Sequence, residues 1–330
     1  LNNTLATMTP TLLYALLLPS LATAVWKSTS RSSGLLAEKP RVPQAFLLGG
    51  QKCGSTSLFK NLEEWPKSDM CPGKSLAGEP GFYRKEKHFF DHATPEKLRD
   101  GIAHYSAHFD VCPTDSLLMD GTPNYLCDTS TPKLLKTFYE VELGINSSAI
   151  KFVAVLRNPI FRAMSEYEHG VRSHWANFEN KTWEAIVDEG IKSFSTKKVA
   201  AESSASLSSK VLPETTCKAL EGGLYSLQLR HWLQHFKSEQ LLIVSFQQLL
   251  FEPGVTMGAV AKHLGLPHRD FSQTFNANSG QYKQPVVSQR VVDFFKEHND
   301  DLTLLRKEYP QCFLDTPGSR FRFIEDPKVF

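Results

Sequence analysis

The stretch Ala45-Phe46-Leu47-Leu48-Gly49-Gly50-Gln51-Lys52-Cys53-Gly54-Ser55-Thr56-Ser57-Leu58 constrains the fold more than any other part of the 330-residue chain. The unbroken apolar run Ala45 to Leu48 predicts a buried strand. A glycine-bracketed turn follows, and a helical pattern opens at Ser55. Strand, glycine turn and helix start together cradle an anion. Glycines let the backbone approach it, and the helix N-terminus offers unpaired N–H groups and a partial positive charge. The expected contacts are Gly50, Gln51, Cys53 and Gly54 from the turn, and Ser55, Thr56 and Ser57 from the helix start. Lys52 adds a full charge. The lysine precedes the second glycine instead of following it, so this is not the Walker A spacing and argues against an ATPase or kinase.

Elsewhere, short apolar runs at Leu117–Asp120, Phe152–Leu156 and Leu241–Ser245 read as strands covered on both faces. Helical patterns fall at Ser55–Trp65, Pro95–Phe109, Thr131–Val141, Pro159–Trp175, Leu224–Phe236, Val255–Leu264 and Val287–Lys307. The alternation predicts an α/β chain: a P-loop-like three-layer fold with a mostly parallel central sheet flanked by helices. Ligands in such sheets bind beyond the carboxyl ends of the strands. The Ser/Ala/Lys-rich segment Lys192 to Pro213 reads as a mobile surface loop. A net charge of +2 gives no global field, so an anion site must be local, and nucleic-acid binding has no compositional support.

Leu12 to Val25 is nearly all apolar and ends in Ala22-Thr23-Ala24, the small residues of a signal-peptidase site. Residues 1–25 read as a signal peptide or a short signal anchor, 26–43 as a stem, and 44–330 as one domain. Any membrane contact would run through that anchor. Six cysteines and sequons at Asn2, Asn146 and Asn180 fit a luminal protein. Cys53 reads as a free thiol, and Cys112–Cys127 is the favoured disulfide.

Three further constellations carry chemistry. In Leu156-Arg157-Asn158-Pro159 a strand ends at Arg157, Asn158 can cap a helix and Pro159 can open it. Arg157 therefore points into the ligand crevice, and Ser165 follows about two turns along the helix. A guanidinium fork plus a hydroxyl suits a second phosphate. Lys85-Glu86-Lys87-His88-Phe89-Phe90-Asp91 offers Glu86 as a general base on an acceptor hydroxyl, with His88 as the competing base. The cations beside Glu86 lower its pKa and weaken it as a base, unless burial against Phe89 and Phe90 offsets them. Asp120-Gly121-Thr122-Pro123-Asn124 runs off a strand end at the same sheet edge. Lys85, Lys87, Asp91, Thr122 and Asn124 are candidate acceptor contacts. No His/Cys/Asp cluster has the ligand spacing of a metal site, and no metal is expected.

These motifs and their order resemble the PAPS-dependent carbohydrate sulfotransferases of the heparan and chondroitin type. PAPS is 3′-phosphoadenosine 5′-phosphosulfate, and PAP is the product left when the sulfuryl group has gone. The likeness runs from about Ala45 to about Lys307. It implies that Lys52 holds the bridging oxygen and sulfonate, and that Gly54 to Ser57 bind the 5′-phosphate. It also implies that Arg157 and Ser165 bind the 3′-phosphate, with Tyr225 and Lys283 as further cofactor contacts. Glu86 would deprotonate the acceptor, supported by His88. The implied reaction is in-line sulfuryl transfer to a polysaccharide hydroxyl, in the Golgi lumen or after secretion. The glucosaminyl 3-O branch resembles this segment with a lysine where the chain has Gly121, and the Lys-Cys-Gly turn and Asp-Gly-Thr-Pro look closer to the galactosamine branch. A small hydroxylated metabolite or protein tyrosine as acceptor, a noncatalytic PAP- or glycan-binding protein, and a kinase are the alternatives.

Overall fold

The computed structural model describes residues 40–91, 93–204, 215, 217–271 and 287–315. The signal or anchor segment, most of the stem and Lys283 lie outside them. In chain order the elements are β1 Ala45–Gly49, α1 Ser55–Leu62, β2 Met70–Cys71, α2 Pro95–Ala107, β3 Leu117–Asp120, α3 Thr131–Thr137, β4 Lys151–Leu156, α4 Pro159–Arg172, α5 Trp183–Ser204, α6 Tyr225–His235, β5 Leu241–Ser245, α7 Phe246–Phe251, α8 Pro253–Leu264 and α9 Gln289–Glu308.

The five strands form one sheet in the order β2-β3-β1-β4-β5. Every pairing is parallel. Each residue of β1 and β5, and each of β4 after Lys151, is buried. That follows from unalternating apolar runs, which need cover on both faces. The main core surrounds the sheet with Phe46, Phe90, Tyr125, Phe138, Phe152 and Trp232 among its large side chains. A second cluster joins α4, α5 and α9 through Ile160, Ala163, Ile186, Val187, Phe194, Leu220 and Phe295.

Two expectations change. Lys192 to Ser204 is not a loop but the second half of α5. Lys and Ala favour helix, and Ile186, Val187 and Phe194 bury against the second cluster. Gly190 lets α5 lie close to Leu220, whose Cδ1 would be 2.7 Å from an added Cβ. The rest of the expected loop, up to Pro213, lies outside the described residues. The pairing Cys112–Cys127 is replaced by Cys71–Cys112 and Cys127–Cys217. The first joins β2 to the segment after α2, and the second ties the turn after β3 to the segment before α6. Cys53 is free, as expected, and so is Cys312. β2 has two residues, too few to carry a pattern.

At the carboxyl end of β3, the Asp120 carboxylate is completely buried. It accepts hydrogen bonds from Tyr105 Oη and Tyr125 Oη, each at 2.9 Å, and from Thr122 Oγ1 at 2.7 Å. The Lys87 backbone N–H approaches at 3.4 Å. Burial pushes its pKa up, opposed by the Lys87 charge and by the hydroxyl donors. Asp120→Ala would strand several buried donors at about 1–3 kcal/mol each. The expected outcome is a loss of at least ~3 kcal/mol in urea unfolding, against a small loss for an exposed control. Peptide mapping without reduction should recover the linked pairs Cys71–Cys112 and Cys127–Cys217, with Cys53 and Cys312 alkylatable only after unfolding.

Candidate active site

The turns after β1, β3 and β4 meet at one sheet edge and open into a cleft of about 1190 Å³. Gln51, Lys52 and Gly54 of the first turn line it with Ser55 and Thr56 of α1, and Arg157 of the third turn with Ser165 of α4. Glu86, His88 and Asn124 line it between them. The volume exceeds the usual 300–1,000 Å³ or so of a small-molecule pocket.

The glycine turn expected to cradle an anion has the expected shape. Gly50 N–H donates to Val155 O at 2.8 Å, tying the turn to β4. Gly54 caps α1 with φ +93°, and no side chain caps that helix end. Its first-turn N–H groups therefore face the cleft beside the hydroxyls of Ser55 and Thr56. A Cβ on Gly54 would meet Phe246 Cδ2 at 2.8 Å, so only glycine fits. Lys52 takes φ 65°, a left-handed conformation that costs a non-glycine residue about 1–3 kcal/mol and that concentrates at functional sites. Gly50 and Cys53 contribute no wall to the cleft. Cys53 is buried under the turn, with Sγ 3.4 Å from Tyr225 Oη, and burial raises its thiol pKa. Tyr225 thus supports the cradle from below instead of touching a ligand. Ser57 is also buried away from the cleft, because each helical step turns the side chain by about 100°.

Asn158 caps α4 through Oδ1, which accepts from Ile160 N at 3.0 Å and Phe161 N at 3.4 Å, with Pro159 at the first helical position. Arg157 reaches the cleft, with its guanidinium 4.8 Å from the Phe246 ring centroid and Nη1 3.4 Å from Lys52 O. Arg162 turns inward instead, 1% exposed, where it meets Glu166 at 2.8 Å and Ala219 O. Burial raises Glu166, and the Arg162 charge opposes the shift.

The central group is the chain Lys85–Glu86–His88–Asp91. Lys85 Nζ lies 2.7 Å from Glu86 Oε1, and 3.3 and 3.4 Å from Ser55 Oγ and Thr56 Oγ1. Its tail passes over Gly121, where a Cβ would come within 3.1 Å of Lys85 Cγ. Lys85, read from the sequence as an acceptor contact, therefore stands between the cradle and Glu86. Glu86 Oε2 is 3.3 Å from His88 Nε2, and His88 Nδ1 is 2.7 Å from Asp91 Oδ2. Burial alone would raise Glu86, but its bonds to His88 and Lys85 outweigh this and hold it below the usual carboxylate range. Burial alone would lower His88, but Asp91 and Glu86 on either side raise it to about 10. The imidazole is thus a cation at neutral pH and the glutamate an anion. His88 also takes φ 50°, held by its N–H donating to Thr122 Oγ1 at 3.1 Å.

Four expected acceptor contacts have other partners. Lys87 is buried, with Nζ donating to Tyr83 O at 2.5 Å, Arg84 O at 2.8 Å and Lys74 O at 3.4 Å. Burial brings its pKa down to about 8 despite the Asp120 charge. Thr122 is buried and bonds Asp120. Asp91 orients His88, and Asn124 Nδ2 reaches Asp91 Oδ2 at 3.4 Å. His169, Trp175, Lys181 and Lys218 also line the cleft. No spacing in the sequence marks them, since α4, the turn after it and the Cys217 segment meet only in the folded chain.

Residues 42–294 match the sulfotransferase domain family. The human heparan sulfate glucosamine 3-O-sulfotransferase 3B1 is 26% identical over 228 residues, covering 68% of this chain and 47% of that protein. The human heparan sulfate glucosamine 3-O-sulfotransferase 6 is 28% identical over 242 residues, covering 73% of this chain and 58% of that protein. The chain thus spans about half the length of the curated relatives it matches. A crystal structure of a sulfotransferase from Alicyclobacillus acidocaldarius superposes with a TM-score of 0.54 at 19% identity, covering 82% of this chain and 96% of that one. That likeness concerns the fold. With the family match running over most of its length, the chain belongs to the sulfotransferase domain family.

Proposed function

We propose that the chain transfers a sulfuryl group from PAPS to a hydroxyl of an anionic polysaccharide of the glycosaminoglycan type. The observation that carries this is the position of Lys85 Nζ, in reach of Ser55 Oγ, Thr56 Oγ1 and Glu86 Oε1 at once. One cation joins the anion cradle to the candidate base, so donor and acceptor would meet across a single wall.

The donor fits the residues present. The uncapped start of α1, Lys52, Ser55 and Thr56 would hold the 5′-phosphosulfate, and Arg157 with Ser165 the 3′-phosphate. PAPS supplies the activated sulfuryl group. Glu86, ionised and fixed by two cations, accepts the proton of the acceptor hydroxyl. The same cations make it a weak base, so its contribution rests on position more than on basicity. His88, already protonated, orients Glu86 and does not compete for the proton. Lys52, Lys85 and the helix N-terminus stabilise the negative charge that grows on the leaving phosphate.

The acceptor assignment is supported by the cleft's size and charge. Lys52, Lys85, His88, Arg157, Lys181 and Lys218 stand against Glu86, Glu166 and Glu189, six cations to three carboxylates. The relatives' names point to heparan sulfate glucosamine, whereas Gly121 had pointed to the galactosamine branch. The relatives favour the heparan type; Lys85 lays its Cγ over Gly121 and carries its ammonium on to Ser55, Thr56 and Glu86. Two disulfides fit passage through the secretory pathway. No helix among the described residues is long and apolar enough to cross a membrane.

Calorimetric titration with PAP, and separately with ATP and Mg²⁺, tests the donor. PAP is expected to bind and ATP not to. Arg157→Ala should weaken PAP binding roughly 10- to 100-fold, the worth of a charge-assisted hydrogen bond. Tight ATP binding, or an unchanged PAP affinity in the variant, would sink the donor assignment. Glu86→Gln should lower kcat by about 10²- to 10⁴-fold with PAP affinity unchanged; normal turnover would reject Glu86 as the base. The pH profile of kcat/KM should rise through an acid limb below the ordinary Glu range of about 4.3. It should fall as His88 loses its proton near pH 10. Asp91→Asn removes a group that raises His88, so the alkaline limb should move to lower pH.

A further inference from the structure

At the far end of α2, His104 and His108 sit one helical turn apart and face one carboxylate, Glu79. Their Nε2 atoms lie 3.0 and 3.5 Å from the same oxygen, Glu79 Oε1. A tetrahedral metal with bonds of ~2.0–2.1 Å sets its ligand atoms about 3.3 Å apart, and these two distances bracket that edge.

The surroundings fit a metal ligand set better than an ordinary ion pair. His108 is 2% exposed, and its Nδ1 is 2.8 Å from Lys74 O. A carbonyl can only accept, so Nδ1 carries the hydrogen. In the neutral ring Nε2 then presents a lone pair towards a carboxylate oxygen. Two acceptors facing each other in a buried place repel unless a cation lies between them. The bond to Lys74 O is also the outer contact that fixes the tautomer of a metal-bound histidine. Glu79 is held from behind, since its Oε2 accepts from Leu76 N at 2.7 Å. The two backbones are locked together without a metal, by Lys74 N donating to His108 O at 2.9 Å and by the disulfide Cys71–Cys112. A site assembled this way costs little to organise when the ion arrives.

We infer that Glu79, His104 and His108 bind a divalent transition metal, Zn²⁺ by preference, with solvent at the fourth position. Two imidazoles and one carboxylate are a donor set that suits zinc. His104 leaves the outer side open, as its side chain is 65% exposed. The ion would fasten the segment before the 3₁₀ turn Gly81–Arg84 to α2. Lys85 and Glu86 follow that turn directly, so the metal would steady the approach to the cleft from outside it.

The test uses the purified full chain, stripped with a chelator, dialysed and titrated with Zn²⁺ against a chromogenic zinc indicator. About one equivalent should bind with Kd below ~1 µM and raise Tm. His104→Ala leaves the fold intact because the side chain is exposed, and should weaken binding by about 100-fold or more. Glu79→Gln keeps the shape, removes the anionic ligand and should do the same. His268→Ala, exposed and remote in sequence, should change nothing. Co²⁺ in place of zinc should give the visible absorption of a four-coordinate site, and lose it in His104→Ala. Absence of submicromolar binding, or binding equal in wild type and His104→Ala, would overturn the site and leave an ion pair.

Discussion

The buried carboxylate of Asp120 holds the working half of the molecule together. It ends β3 and receives Tyr105 from α2, Tyr125 from the turn beyond and Thr122 beside it. Through these contacts it sets the segment carrying Glu86 and His88. Thr122 Oγ1 accepts from His88 N, and Tyr125 Oη accepts from Phe89 N at 3.0 Å. A lone buried charge would be costly, and here several donors and the nearby Lys87 offset part of the desolvation. The same carboxylate therefore bonds a core tyrosine from a helix and fixes the backbone of the proposed base.

Charge in the cleft is arranged as an alternating row. Lys85, Glu86, His88 and Asp91 alternate in sign, each within hydrogen-bond or ion-pair reach of the next. Such a row keeps Glu86 ionised and His88 protonated across the neutral range and leaves little freedom of rotation. In the proposed reaction, what Glu86 loses in basicity between its two cations it regains in placement. The uncapped start of α1 lies next to this row, so negative charge arriving from a ligand would meet fixed dipoles and cations that need not reorganise.

Much of this was legible beforehand. Ala45–Leu48, Leu117–Asp120, Phe152–Leu156 and Leu241–Ser245 are apolar at every or nearly every position, and strands buried on both faces leave that trace. Asn158-Pro159 and the Gly54 turn are local capping and turn chemistry, so they too could be read. What escaped depended on distant partners. Tyr225 and Cys53 are far apart in sequence, and only their contact shows both to be supports for the cradle. Lys87 alternates with Lys85 in sequence yet turns inward to backbone carbonyls, while Lys85 turns to the cleft. The second half of α5 carries no helical period because only Phe194 and Ala201 in it are buried, and Phe194 packs against a cluster made elsewhere.

By itself the sequence determined the class of fold, the glycine turn and open helix start after β1, and the strand end that carries Arg157 to the cleft. Each rests on hydrophobic period, glycine placement or helix capping, which act over a few neighbouring residues. Only the tertiary structure decided which cysteines pair, which lysine faces the cleft, and that His88 and Glu86 face each other as cation and anion. It alone brought Glu79 to His104 and His108. Disulfide geometry, burial and charge pairing depend on distances through space, and the chain acquires those only when the sheet and its connections close around one core.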